Sequence, residues 1–503
     1  MRHRAQPAVK NLLYALLGAA LWTLPTGAAA SPPPAAPEVR GTWLTTTAND
    51  HIASPARTAE TMRQLREIGL NSVYVETWKN GYTQYPSRVL EDLIGVDRRP
   101  DLAKQDPSDP DKPVPARDLL EETLIEAHRN GLAYIAWFEY GFMAAHKDTD
   151  NHLRRIRPDW LSRDIEGNDV APNGFVWLNP LHPETRRFLL DIVLEAVDRY
   201  DLDGVQLDDR IVWPYVTMGY DDYTVAVYRN EHGGAAPPAD HTDPDWIAWR
   251  SEKITDYARQ FVAELREARP GLIVSVSPAP YPWVYENYCL NWPLWAEEGL
   301  WDEYIPQCYR YDFGAFEQTW VSQTELMTSG EARVSQLIAG VLTTGSRPDP
   351  VPWADLERKI DLVRSTGGGG HVWWFSRGVL DEYPDEITEL YGVSELGPAR
   401  RPDLPRGWRR PSIAMVFEDG RWTTPRVPEA RYRAIAHDGE RWSYLPDGAL
   451  KTESVTGNML RASVDPASVD ASLLVEGEAK GWRAVELLID RRQDTLRPRP
   501  GSR

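Results

Sequence analysis

A (β/α)8 barrel, an α/β fold of the TIM type, is what this sequence predicts, followed by a small C-terminal β-rich domain. Three observations carry the prediction. Eight short apolar runs with strand-like alternation recur between residues 40 and 375, amphipathic helix-like runs separate them, and the loops after the strands are much longer than those before them. A doubly wound open sheet would offer no reason for eight units. Long loops gathered at one end of the strands are what a binding face needs.

Taken in order, residues 1–30 read as an export signal. Arg2, Arg4 and Lys10 form a basic start, an apolar run covers 12–24, and Ala28-Ala29-Ala30 is a small-residue cleavage site before Ser31. The apolar run is short for a membrane span, so the expected product is an exported protein, periplasmic or extracellular, without stable membrane insertion. Residues 31–37 are a Pro/Ala-rich tether. The barrel is expected over 38–395, with strands at 40–46, 72–78, 133–140, 204–209, 272–278, 303–309, 337–342 and 370–375. Helices are expected at 58–68, 117–130, 183–200, 245–268 and 353–365. In the second of these Leu119, Leu120, Leu124 and Ala127 share one face at helical spacing. The longest loops are 78–115, 140–181 and 210–244. Beyond Tyr391 the character changes to short β-like pieces broken by Asp419-Gly420 and Asp447-Gly448. Residues 400–492 are therefore expected to form an accessory domain, and 493–503 a disordered tail.

Composition narrows the function classes. The formal charge is -19, and loss of Arg2, Arg4 and Lys10 with the signal makes it three units more negative. Such a surface repels nucleic acid and anionic membrane. Cys289 and Cys308 are the only cysteines, and their spacing leaves open whether they pair. No Cys/His cluster has metal-ligand spacing and no Gly-rich phosphate loop appears, so neither metal nor cofactor is expected.

The chemistry concentrates at the strand ends. In Asp201-Leu-Asp-Gly-Val-Gln-Leu-Asp-Asp-Arg210, Val205 and Leu207 can face helices while Gln206 and Asp208 face the barrel axis. Asp208 then stands at the C-terminal mouth, where such barrels build active sites; capping the next segment or pairing with Arg210 is the plainer role. The other strands bring Glu76 and Trp78, Trp137 and Glu139, Gln307, Tyr309 and Arg310, and Trp373, Trp374 and Arg377 to the same end, with Asp209 beside Asp208. Carboxylates can serve as acid, base or nucleophile. Aromatic faces stack on sugar rings, and amides and arginines bind hydroxyls. Taken together they suit a polysaccharide substrate.

The segment Glu38-Val-Arg-Gly-Thr-Trp-Leu44, which includes Trp43, resembles the opening strand of the bacterial family 10-like glycosyl hydrolases. In the same order follow Gln84-Tyr-Pro-Ser87, Ala136-Trp-Phe138, Trp177-Leu-Asn-Pro180, Asp203-Gly-Val-Gln-Leu-Asp-Asp209, Ser275-Val-Ser-Pro278 and Asp302-Glu-Tyr-Ile-Pro-Gln-Cys-Tyr-Arg310. The resemblance covers about residues 38–391. It implies a (β/α)8 barrel and glycoside hydrolysis, and some members are exported enzymes that cut peptidoglycan glycan strands lacking stem peptides. The sequence departs from the family pattern in carrying Glu76 and Trp78 in place of an amide and an arginine. Glu139 replaces an asparagine, Asn291 replaces an aspartate, and strand seven, Gly340-Val-Leu-Thr-Thr344, has no carboxylate.

As a hydrolase the protein would use Asp208 as nucleophile or electrostatic stabiliser, with Glu139 or Asp209 as proton donor. As a non-catalytic glycan-binding protein it would use the same aromatics without cleavage. Two inward carboxyl groups roughly 5–10 Å apart favour the first. Arg40, Arg210, Arg310 and Arg377 are expected near the mouth, either paired with local acids such as Asp209 and Asp302 or free to hold a substrate carboxylate.

Overall fold

The computed structural model describes residues 37–103, 116–392 and 401–402, with ten strands between 416 and 498. The expected export signal lies outside the described residues, as does the tether apart from Pro37.

Eight parallel strands form one sheet: β1 (Val39–Leu44), β2 (Ser72–Glu76), β3 (Ala133–Phe138), β4 (Gly204–Leu207), β5 (Ile273–Val276), β6 (Glu303–Tyr304), β7 (Ala339–Leu342) and β8 (Gly370–Trp374). β8 returns to β1 with Val39 opposite Gly370, and parallel bridges from Tyr304 to Leu337 and from Gln307 to Gly340 join β6 to β7. The sheet is closed, as the eight-unit pattern predicts. Side chains of alternate parity fill the interior, among them Trp43, Tyr74, Ile135, Trp137, Ile338 and Val372, while their neighbours pack outward against the helices.

Polar caps set where the helices start, three residues before the expected 58 in the first, two after the expected 117 in the second, and within one residue of expectation in the two that follow. α1 (Pro55–Ile68) is capped by the Ser54 hydroxyl, which accepts from Arg57 N, and ends at Gly69 with φ 109°. α2 (Leu119–Arg129) is capped by Asp118, α3 (Pro183–Arg199) by His182, and α4 (Pro244–Ala268) by Asp243. Proline at the first position of α1, α3 and α4 loses no hydrogen bond there.

Seven of the eight strands are shorter at the mouth than their apolar patterns; β7 ends at Leu342 as expected and is shorter only at its start. Pro278 and Pro306 carry no N–H for a continuous ladder, so β5 and β6 stop early. The chain nevertheless keeps its course, since Gln307 N donates to Pro278 O at 2.9 Å. Gly204 opens β4 where a Cβ would stand 2.7 Å from both Cβ and O of Ile273. Glycine before the Val-Gln-Leu-Asp run is therefore a packing requirement.

At the opposite end of the barrel, Glu38 accepts from Arg40 at 2.6 Å and from Arg364 at 2.9 Å. Although burial opposes it, these guanidiniums hold the Glu38 carboxyl down at about 2. Arg401 reaches Ser72 and Glu303 at the same end, and Tyr74 donates to Glu303 at 3.0 Å.

The C-terminal strands are antiparallel. One sheet runs Val416–Glu418, Arg421–Pro425, Met459–Val464, Leu450–Val455; another contains Trp442–Tyr444, Arg431–His437, Ser472–Ala479, Leu487–Asp490 and Thr495–Pro498. The Arg/Pro-rich end, expected to be disordered, thus includes a strand, because Thr495–Pro498 pairs with Leu487–Asp490. Cys289 and Cys308 are buried free thiols, and burial pushes them up to about 11 and about 12. Among the described residues no helix is long and apolar enough to cross a membrane.

Candidate active site

β4 ends at Leu207 and delivers Asp208, Asp209 and Arg210 to the mouth. Asp208 Oδ1 accepts from Asp209 N at 2.8 Å and from Gln307 Nε2 at 2.5 Å, and its Oδ2 accepts from Arg210 Nη1 at 2.5 Å. The pairing with Arg210 is therefore real, but it does not end there. The same guanidinium lies 3.2 Å from Asp209 Oδ1 and 4.0 Å from Glu139 Oε1, and it donates to the Glu139 carbonyl at 3.1 Å. Gly141 makes this approach possible: with φ 45° it brings the chain after β3 so close that a Cβ would stand 2.4 Å from Arg210 O. Phe142 N donates to that same oxygen at 3.0 Å.

Glu139 has a second cation. Lys79 Nζ sits 3.1 Å from Glu139 Oε2 and 2.8 Å from Glu76 Oε2. Glu76 also accepts from the Thr45 and Thr46 hydroxyls at 2.8 and 2.5 Å, from Thr46 N at 3.1 Å and from Gln84 at 3.2 Å. Its side chain is fully buried and its acceptor capacity is used up, so Glu76 anchors Lys79 instead of touching substrate.

Four carboxyl groups thus face two cations inside a largely dry mouth. Burial pushes Asp208 well above the usual carboxylate range, and the neighbouring Asp209 charge adds to it while Arg210 opposes. Burial raises Glu139 as well, helped by Glu76 and opposed by Lys79 and Arg210. For Glu76 burial is outweighed by Lys79 and the Thr46 donors, and its carboxyl is lowered. The Glu139 charge adds to the rise at Asp208, so these carboxyls titrate as a coupled cluster.

Floor and wall are aromatic. Gln206 spends both ends of its amide on the floor, accepting from Trp43 Nε1 at 2.8 Å and donating to Ser275 Oγ at 3.0 Å. Trp137 lies beside Trp43 and Trp374, with ring centroids 6.4 and 6.0 Å away. Tyr309 and Trp374 are half-buried, 5.4 Å apart, and present the rings that a ligand would meet. Among the described residues the buried Trp137 Nε1 and Ser277 Oγ have no hydrogen-bond partner. Unpaired polar atoms beside buried carboxyls suit a ligand rich in hydroxyl and amide groups.

Several expected site residues are elsewhere. Trp373 has the outward parity of β8 and donates to the Tyr391 hydroxyl at 2.8 Å. Trp78 follows the turn after Glu76, donates to Gly141 O at 3.1 Å and packs on Phe188 of α3. Arg40 belongs to the opposite end of the barrel, bound to Glu38. Arg377 is exposed and pairs with Glu382 at 3.4 Å. Arg310 stays at the mouth, half-buried, and donates to its own neighbour's carbonyl, Tyr309 O at 3.1 Å. Among the described residues no acid pairs with it. The buried Lys79 and Ser277 were not expected; Lys79 lies out of phase with β2 because a two-residue hairpin, Trp78–Lys79 with Tyr82–Thr83, re-aims it.

A family model described as glycosyl hydrolase-like 10 matches residues 38–345. The chain is similar to glycosyl hydrolase YngK of Bacillus subtilis, 24% identical over 440 residues, 76% of this chain and 77% of that one. It is also similar to glycosyl hydrolase DigH of Escherichia coli, 25% identical over 358 residues, 60% of this chain and 75% of that one. Among solved structures it is similar to the glycoside hydrolase domain of PgaB (BpsB) from Bordetella bronchiseptica, with a TM-score of 0.51 and 14% identity over 70% of this chain and 98% of that domain. At that identity the likeness speaks for the fold alone.

Proposed function

The chain belongs to the glycosyl hydrolase-like 10 family, and from that premise we propose that it cleaves a glycan by paired-carboxylate chemistry at the mouth of its barrel. The coarser statement, a glycan-acting hydrolase-like protein, already follows from membership. One observation carries the finer reading: Asp208 and Glu139 both reach the Arg210 guanidinium, at 2.5 and 4.0 Å. Carboxyl groups that share one guanidinium in this way are less than about 10 Å apart, within the upper limit for a pair that flanks a scissile glycosidic bond.

In this reading Glu139 is the proton donor. Its carboxyl is raised by burial, with the Lys79 ammonium 3.1 Å from its Oε2. Asp208 is raised by burial too, but it accepts in every contact it makes, from Arg210, Gln307 and the Asp209 amide, so in this reading it is the group that supplies negative charge to the anomeric carbon. The Glu139 proton passes to the glycosidic oxygen as the bond to the anomeric carbon breaks. Water then adds to that carbon and returns a proton to Glu139. Asp209, more exposed and paired with Arg210, is the weaker candidate for this role.

Because Glu139 is raised, its acid form persists to higher pH than an ordinary glutamate, and the rate should fall on the alkaline side as that proton is lost. Glu139→Gln is expected to erase this limb and to lower kcat by roughly 10²-fold or more on substrates with poor leaving groups. A pH–rate profile unchanged by the substitution would move the proton donor to Asp209.

The substrate proposed is peptidoglycan glycan freed of its stem peptides, exported protein and cell-wall polymer meeting outside the cytoplasm. Arg310 supports it: a guanidinium without an acid partner among the described residues suits the lactyl carboxylate of N-acetylmuramic acid. Lys359 holds the loop in place by donating to the carbonyls of Arg310 at 2.7 Å and Tyr311 at 3.3 Å. The test is incubation with denuded strands and with neutral chitin oligomers, products read by mass. Denuded strands should be preferred, with the preference weakened by salt and reduced about tenfold by Arg310→Ala. Equal cleavage of the neutral polymer, insensitive to Arg310, would remove the carboxylate from recognition. Retained binding without product from any glycan would leave a binding protein.

A further inference from the structure

Among the described residues eleven indoles are almost wholly enclosed. Trp283 is the one described indole that is largely in the open, a large ring 48% exposed. It opens α5 (Trp283–Tyr288), the short helix after β5, and therefore stands on the same face of the barrel as Asp208. An exposed indole on the face that carries the candidate active site is a departure that asks for a ligand.

Its neighbours lead back to the carboxylates. The Trp283 ring lies 5.6 Å from Tyr288, and Tyr288 lies 4.8 Å from Tyr215. Both tyrosines are half-buried. Tyr215 belongs to the loop that begins with Asp208, Asp209 and Arg210, and that loop is fastened to α5 by its backbone. Trp213 N donates to Tyr288 O at 3.1 Å, and Val216 N to Asn287 O at 2.6 Å. Tyr215 holds φ at 50°, an unfavourable conformation for a bulky residue, with its ring against Tyr288. Burial and then the Asp209 charge raise the Tyr288 phenol, which places that ring within the field of the catalytic cluster.

We propose that Trp283, Tyr288 and Tyr215 form a distal glycan subsite, an aromatic track running outward from Asp208, Asp209 and Arg210, which selects long strands over short ones. The occupant is a segment of the same polysaccharide whose scissile bond lies at the mouth, because the track is continuous with that mouth through one loop. Flat rings with an apolar face and a polar edge match the C–H face and hydroxyl rim of a sugar. The identity of the occupant rests on the proposed glycan substrate; the track's own test does not require cleavage.

Two measurements separate the two ideas. In the intact protein carrying Asp208→Asn, titration with soluble long glycan strands should quench tryptophan fluorescence, and Trp283→Ala in that background should weaken binding about tenfold, with Trp283→Phe in between. In the otherwise wild-type protein, Trp283→Ala should reduce the preference in kcat/KM for long strands over the shortest cleavable oligosaccharide by about tenfold. Binding that depends on Trp283 without any cleavage supports the subsite and sinks the hydrolase reading. Cleavage with a chain-length preference unaltered by Trp283→Ala, and binding equally unaltered, overturns the subsite and leaves the hydrolase reading standing.

Discussion

Asp208→Asn is expected to lower glycan cleavage by roughly 10³-fold or more while the barrel stays folded. The side chain is 5% exposed and sits among three donors, the Asp209 amide, Gln307 and Arg210. A carboxylate so placed can meet positive charge developing at the anomeric carbon without reorganising, and an amide cannot. Stability argues the other way. Burial raises Asp208 above its unfolded value, so the ionised form costs stability above the unfolded pKa, and a neutral isostere should leave the melting temperature unchanged or slightly higher. Arg210 keeps Asp209 and Glu139 as partners. The measurement is kcat/KM on the cleaved glycan beside a thermal melt and a binding titration. A folded variant with near-normal turnover would take Asp208 out of the mechanism.

Lys79→Met is expected to produce the largest loss of stability among site variants, about 3–5 kcal/mol. Among the described residues Lys79 is the only cation in contact with Glu76 and the closer of two to Glu139, at 2.8 and 3.1 Å, and all three side chains are nearly or wholly buried. Methionine fills the space and leaves two buried carboxyl groups without it. The sign of the pH dependence follows. In the variant both carboxyls move upward, and a carboxyl whose folded pKa exceeds its unfolded value costs stability above the unfolded pKa and ceases to cost it as pH falls through the folded one. The deficit should therefore be greatest near neutral pH and shrink on acidification toward pH ~5. Melting temperature against pH for wild type and variant measures it. A deficit independent of pH would mean that Lys79 acts by packing and not by charge.

The fold was largely legible. Alternation marked the Gly204–Leu207 run and its seven counterparts as strands and gave the first its inward face, and the structure turns Trp43, Trp137 and Trp374 into the barrel. The same rule places Trp373 outside it, between β8 and Tyr391; treating both tryptophans of that pair as mouth residues ignored a period of two. Parity fails where the strand ends. After Glu76 a hairpin reverses the chain, sends Trp78 toward α3 and swings Lys79 into the mouth. Arg40 illustrates a different limit: its place near the start of β1 put it at the far end of the barrel, beyond reach of the mouth.

Sequence by itself determined the eight strands, the inward face of β4, and the arrival of Asp208 and Glu139 at one end, because periodicity and chain order are local properties that survive without coordinates. Only the tertiary structure decided which charges meet. That Arg210 gathers Asp208, Asp209 and Glu139, that Glu76 is saturated by Thr45, Thr46, Gln84 and Lys79, and that Arg310 has no acid partner among the described residues are facts about distances between loops from different strands. Electrostatic energy depends on those distances and on burial, and neither is written in the order of residues along the chain.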